Sequence, residues 1–280
     1  MNNIKWKCRF HQSIDSRHEF GVNCIMLKEH LNYEKNIIES FRLLFSNPNY
    51  PQNHPLYFPE TDSVKQVFHS ICDDIQWAKW SDSSGKIDPP PDYYNNELKL
   101  MMEVMRVDDN ACIDKSTGKL INPLRARESE MIHELRDNGF FDICPNVKNV
   151  IITAKTKLPI DEDHNYIFYR DNFMRVIENH KKKIPSYLQN HPGFKIIFYV
   201  FDDSSMYIKL ADGYSTQSIN KKSDNALGQL HFWWMDNAFL DVIINSEIDF
   251  LIWETPYKQA KCKGGDEVKL PDVCIFDVKN

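Results

Sequence analysis

Apolar residues first recur at helical spacing from Tyr33 to Phe45, where Ile37, Ile38, Phe41, Leu44 and Phe45 share one face and Pro48 enforces a stop. A second stripe runs from about Asp62 to Trp77 through Val64, Val67, Phe68, Ile71 and Ile75, with Asp62 or Thr61 placed to cap it. The segment SDSSGKIDPPPDYYNN follows. Its three consecutive prolines lack donors and fix the backbone, which excludes helix and central strand. LKLMMEVMRV, from Leu98 to Val107, is short and apolar enough for a buried strand. Its Met and Leu suit a helix equally by propensity, but Pro91 before it and DDNACIDKSTGKLI after it favour strand, the latter reading as a hairpin turning at Thr117 and Gly118.

Asn122 at a cap, Pro123 in the first turn and Gly139 past the end frame a helix over about 123 to 138. The remainder alternates: strand Val147 to Ala154, helix Asp171 to Leu188, strands Lys195 to Phe201 and Met206 to Leu210, helix Ala226 to Asn245, strands Phe250 to Trp253 and Val273 to Phe276. This pattern predicts an α/β protein, a mixed β-sheet flanked by helices, with antiparallel pairs at the hairpins expected near 107 to 120 and 202 to 206. The 280 residues read as a single α/β unit, in which an N-terminal helical part (about 1–85) packs on an α/β core (about 86–280).

Composition adds exclusions. Hydrophobic residues at 42% and charged residues at 26% suit a packed core and not a disordered chain. Glycine, at nine residues, leaves little material for phosphate-cradling loops, and neither a P-loop nor G-x-G-x-x-G occurs. A net charge of -6 gives no global pull toward nucleic acid or anionic membrane, so any such binding must come from a local patch. Seven scattered cysteines without C-x-x-C spacing read as reduced thiols. The N-terminus lacks a signal-like apolar core and no window of 18 apolar residues exists, so no membrane span and a cytoplasmic location are expected.

The most suggestive chemistry lies between Asp92 and Glu103. In a strand, Glu97, Lys99 and Glu103 stand on one face. A hard ion such as Mg²⁺ needs only one or two carboxylates beside water and substrate phosphate, which Asp92 and Glu103 can supply, with Lys99 as a nearby ammonium to steady the attacking water or the transition state. Read instead as plain structure, Glu103 pairs with Arg106 or a neighbouring lysine and PPPDYY is a loop. Asp202 and Asp203, just past the strand KIIFYVF, sit where α/β sheets place their ligands, although Asp-Asp-Ser-Ser is also an ordinary turn. The C-terminal PDVCIFDVK has acids too close for a strand pair and reads as an exposed terminal strand. No histidine or cysteine spacing supports zinc.

The stretch PDYYNNELKLMMEVM resembles the active-site pattern of the PD-(D/E)xK nuclease superfamily, of restriction-endonuclease-like architecture. There a Pro-Asp pair precedes a strand ending in an acid, any residue and a lysine. Here Met105 holds the lysine position, and Lys99 stands in from the same strand face. The resemblance implies a Mg²⁺-dependent nuclease with Asp92 and Glu103 as metal ligands, Lys99 and Glu103 as catalytic groups, and Glu39 or Glu34 on the first long helix as a further acid. Nucleic acid would be held by local basic clusters, His180 to Lys183, Lys221 and Lys222, and Lys258, Lys261 and Lys263. The rival expectation is a non-catalytic subunit of a larger assembly that binds another protein through the aromatic C-terminal half, where Trp233, Trp234, Phe239, Ile243, Phe250 and Trp253 recur.

Overall fold

A computed structural model describes residues 22–27, 33–46, 55–83, 91–144, 149–154, 166–210, 216–218, 228–256, 258–261 and 267–280. In chain order the helices are α1 (Tyr33–Ser46), α2 (Asp62–Cys72), α3 (Asp74–Trp77), α4 (Pro123–Asp137), α5 (Phe140–Ile143), α6 (Tyr166–Lys181), α7 (Ile184–Asn190) and α8 (Asn237–Ile244), with a 3-10 turn at Trp233–Met235. The strands are β1 (Val22–Leu27), β2 (Leu56–Phe58), β3 (Trp80–Asp82), β4 (Tyr93–Asn95), β5 (Leu100–Val107), β6 (Cys112–Ile113), β7 (Leu120–Ile121), β8 (Asn149–Ala154), β9 (Lys195–Asp202), β10 (Tyr207–Leu210), β11 (Thr216–Ser218), β12 (Gly228–Leu230), β13 (Phe250–Glu254), β14 (Gln259–Lys261), β15 (Glu267–Lys269) and β16 (Val273–Asp277).

The expected mixed α/β architecture is present. Seven strands form one sheet in the order β2-β16-β13-β9-β5-β4-β3. The central three, β5, β9 and β13, run parallel, while β4 and β16 pair antiparallel to them on either side. Alternation along β5 divides its side chains between two cores. Met101, Met105 and Val107 join Phe173, Ile177, Tyr187 and Phe239 of α6, α7 and α8; Leu100, Met102 and Val104 join Ile38, Phe41, Val67 and Ile71 of α1 and α2. The part expected to be helical over 1–85 also supplies β2 and β3, the two edge strands of this sheet.

Three expected elements differ for local reasons. The helix expected from Asp62 to Trp77 starts as read, with Thr61 accepting from the Val64 N–H, but breaks at Asp73, whose carboxylate takes the Gln76 N–H and caps α3 instead. The helix expected from Asp171 to Leu188 begins earlier, at Tyr166, and is interrupted at Lys182 and Lys183 ahead of Pro185, which has no N–H to continue it. Of the helix expected from Ala226 to Asn245, only Asn237–Ile244 is α-helical among the described residues, because Asp236 caps it at the Ala238 N–H and β12 precedes it.

Two pairings also differ. No β9–β10 hairpin forms: β10 pairs with β11 and β12 in a separate sheet. Beyond β9 the Asp203 N–H donates to the Val107 carbonyl and the Ser205 N–H to Asp109, which steers the chain out of the sheet. The C-terminal strand is not exposed either, since β16 lies between β2 and β13 with Val273, Cys274 and Ile275 buried. The β6–β7 hairpin and the Asn122-capped helix α4 stand where expected, with Gly118 and Gly139 both at positive φ.

Candidate functional site

Glu103 sits in the middle of β5 on the face covered by α6 and α7, and is almost fully buried. Its Oε1 lies 2.6 Å from His180 Nδ1 and accepts a 2.8 Å hydrogen bond from Lys183 Nζ. His180 belongs to the last turn of α6 and Lys183 to the two-residue break before α7, so the interruption forced by Pro185 is what turns Lys183 toward the strand. Glu103 Oε2 is buried and closes no hydrogen bond, an expensive arrangement for a carboxylate oxygen. Burial would raise the Glu103 carboxyl, but the hydrogen bonds and charges of His180 and then Lys183 outweigh it and hold the group below its ordinary value. The Tyr187 hydroxyl stands beside this carboxylate. Burial first, then the Glu103 charge and contact, then the Asp92 charge hold its phenol protonated far above the ordinary range. Lys183 is 46% exposed against 3% for the Glu103 side chain, so the cluster meets solvent through the lysine.

The hairpin register explains why Asp92 belongs with this group. Tyr93 pairs with Met102 and Tyr94 with Met101, so continuing the ladder by one residue sets Asp92 opposite Glu103 on the same face. Asp92 Oδ2 accepts the Val104 N–H at 2.7 Å, taking the place of a ladder carbonyl as β4 begins after Pro91. The two acids expected together are therefore neighbours across the hairpin.

Lys99 is not on that face. It lies in the turn before β5 with φ 54°, exposed, its ammonium 5.1 Å from the centre of the Phe194 ring. Strand alternation fails for it because β5 starts one residue later. The ammonium beside Glu103 is Lys183, and the simple-structure expectation of an Arg106 pair is also replaced. Arg106 faces the other way and forms a bidentate pair with Glu128 of α4 at 2.7 and 3.0 Å. Glu39 is on α1, across the sheet from Glu103, and accepts from Arg42 at 3.2 Å. Glu34 has no described side chain.

Asp202 and Asp203 are separated by the sheet. Asp202 Oδ2 takes Tyr169 Oη at 2.7 Å, Trp253 Nε1 at 3.0 Å and the Lys258 ammonium at 2.7 Å, while Oδ1 accepts the Ser204 N–H and hydroxyl. A carboxylate so fully engaged has no lone pair left for an ion, and its role is to hold the end of β9 in place. Asp203 pairs with Arg106; burial outweighs that guanidinium and pushes its carboxyl up to about 6.

The other expected surfaces are partly accounted for. Trp233 stacks on Trp253 with ring centres 4.0 Å apart, and Trp233, Phe239, Ile243, Phe250 and Trp253 are buried, so these members of the aromatic C-terminal stripe are core, while Trp234 is half-buried at its edge. Lys258 is buried against Asp202; Lys221, Lys222 and Lys263 lie outside the described residues. Among the described residues no three or more His, Cys, Asp and Glu side chains converge as a metal cage, and no helix is long and apolar enough to cross a membrane.

His180, Lys183 and Tyr187 are the members of the cluster that spacing along β4 and β5 does not reveal. The run His180-Lys181-Lys182-Lys183 is visible as a basic cluster, but nothing local ties it to a strand 77 residues earlier. Comparison of the chain with family models, with curated proteins and with solved structures returns no match.

Proposed function

We propose that the chain is a metal-dependent phosphodiesterase acting on nucleic acid, with Asp92 and Glu103 as the ion-binding carboxylates and Lys183, in place of Lys99, as the ammonium at the site. The observation that carries this reading is Glu103 itself: a buried carboxylate on a central strand, with one oxygen between the His180 imidazole and the Lys183 ammonium and the other without a hydrogen bond, at the register position opposite Asp92. A hard divalent ion requires oxygen ligands and accepts as few as one or two carboxylates when water and substrate phosphate complete its shell. When bound, it would polarise the phosphodiester and lower the pKa of water. Lys183, reaching solvent from the same carboxylate, is placed to meet a phosphate oxygen and offset its charge, and His180 adds a second donor on that side. Tyr187, kept protonated, remains a donor to the carboxylate region over the whole working pH range.

The test is cleavage of single-stranded and duplex DNA and RNA with Mg²⁺ or Mn²⁺. Glu103→Gln removes the ion-holding charge at constant shape and is expected to abolish cleavage. Lys183→Met is expected to slow it by roughly 10² to 10³, the usual cost of losing one stabilising donor. An independent readout is melting temperature, which added Mn²⁺ should raise for the wild type and not for Glu103→Gln. Cleavage that survives both substitutions removes the reading.

A further inference from the structure

We infer that Arg125 of α4 and Arg175 of α6 form a phosphate-binding site at the carboxyl end of β5. In the proposed activity, on which this identity of the ligand rests, the site holds a backbone phosphate that flanks the scissile one. The parallel strands β5, β9 and β13 all end on this side of the sheet, which is where open α/β sheets receive their ligands. Residues two apart turn their backbone groups to the same edge of a strand. Asp92 accepts the Val104 N–H, and Arg125 Nη2 donates to the Arg106 carbonyl at 3.0 Å. The acid and the guanidinium therefore follow each other along one edge of β5, at backbone positions roughly 7 Å apart by the usual rise.

A buried scaffold positions both guanidiniums. Asp108, directly after β5, is fully buried, and its Oδ2 accepts Arg125 Nε at 2.8 Å. Asn172, also buried, donates from Nδ2 to the Asp108 carbonyl at 2.9 Å and accepts Arg175 Nη2 on its Oδ1 at 2.5 Å. The Asp108 carboxylate has no place for a second guanidinium, since it also takes Asn122 Nδ2 on both oxygens and the Asn110 N–H on Oδ1. Arg175 itself forms no ion pair among the described residues, although two acids lie at helical pairing distance. Asp171, four residues before it, binds Arg170, and Glu178, three residues after it, binds Lys181. Arg175 turns to a neutral amide instead and stays exposed, with Nε and Nη1 closing no hydrogen bond among the described residues. Partial burial and then the Arg125 charge hold its guanidinium below its ordinary pKa, against the opposing pull of Asp108, so the two arginines sit in each other's field. Their repulsion is relieved when an anion binds, and the planar N–H forks left over suit phosphate oxygens.

Arg175→Gln is the variant of choice, because Arg175 is exposed and held by one hydrogen bond, whereas loss of Arg125 strands the buried Asp108 carboxylate. Inorganic phosphate at constant ionic strength should raise the melting temperature of the wild type and of Glu103→Gln, and that of Arg175→Gln less. Nucleic-acid binding is read by fluorescence anisotropy in the Glu103→Gln protein, with a labelled single-stranded oligonucleotide. Adding Arg175→Gln should weaken it by about 5-fold at 0.1 M salt and make the slope of log affinity against log salt shallower by about 0.7, the value for one phosphate contact. Arg175→Lys keeps the charge and should keep the slope. Phosphate without effect on the wild type, or affinity and slope in folded Arg175→Gln equal to those of its parent, overturns the inference. A phosphate effect that depends on Arg175, with no oligonucleotide bound and none cleaved, removes the nuclease reading and leaves the phosphate site. Cleavage with neither the phosphate effect nor the change of slope does the reverse.

Discussion

Replacing Glu254 by Gln should stabilise the protein at pH 8 and change little at pH 4.5. Glu254 ends β13, is 5% exposed, and its Oε2 accepts the Tyr199 hydroxyl at 2.5 Å. Burial, followed by the charges of Asp272 and Asp203, pushes its carboxyl up to about 8 against the single lowering contact from Tyr199. A carboxyl whose folded pKa lies above its unfolded value favours folding fully only below the unfolded value. That contribution is lost as pH rises through the folded pKa. The window here runs from the ordinary value of 4.5 to about 8. At about 1.36 kcal/mol per unit, the wild type gives up on the order of 3 to 4 kcal/mol across it. Glutamine mimics the protonated acid: its amide oxygen keeps the Tyr199 bond, and it brings no charge to be repelled by Asp272 and Asp203. It does not titrate, so the variant keeps what the wild type loses. Urea unfolding of both proteins at half-unit steps from pH 4.5 to 8.5 should show a stability difference that opens with pH, with m unchanged. A difference that stays flat, or a variant less stable than wild type at pH 8, would refute the reasoning.

Two further outcomes follow from single side chains. Asn122 both caps α4, accepting the Arg125 N–H at 3.1 Å, and donates from Nδ2 to both oxygens of the buried Asp108. Asn122→Ser should therefore lose only the hydrogen bonds to Asp108, whereas Asn122→Ala should cost about 1 kcal/mol more for the cap, read as separate shifts of the urea midpoint. The buried Cys274 thiol is pushed up to about 12 by burial, so iodoacetamide at pH 8 should leave it unmodified in the native protein and label it after unfolding, as read by mass spectrometry of the digest.

The sequence by itself determined what depends on neighbours along the chain. The apolar run of β5 announced a buried strand, the Asn122-Pro123 start and Gly139 end framed α4, and the hairpin order of β4 and β5 set the register positions of Asp92 and Glu103 opposite each other. Where local chemistry competed with periodicity, apolar spacing misled. Asp73, Pro185 and Asp236 each break or start a helix inside a run whose hydrophobic pattern looked continuous, because a cap oxygen or a missing N–H acts on one residue while periodicity averages over many. Lys99 fell off the strand face because it lies in the turn before β5 with left-handed backbone (φ 54°), where the two-residue alternation of a strand no longer applies.

What only the tertiary structure decided is which cation serves which acid. Lys183, not Lys99, reaches Glu103; Arg106 crosses to Glu128 and Asp203; Lys258 saturates Asp202 and withdraws it from ion binding. These pairs join residues from 22 to 97 positions apart. Each is chosen by the sheet order and by the face a residue occupies, quantities that no local window contains, since the energy of a charge depends on what the fold brings within a few ångströms of it.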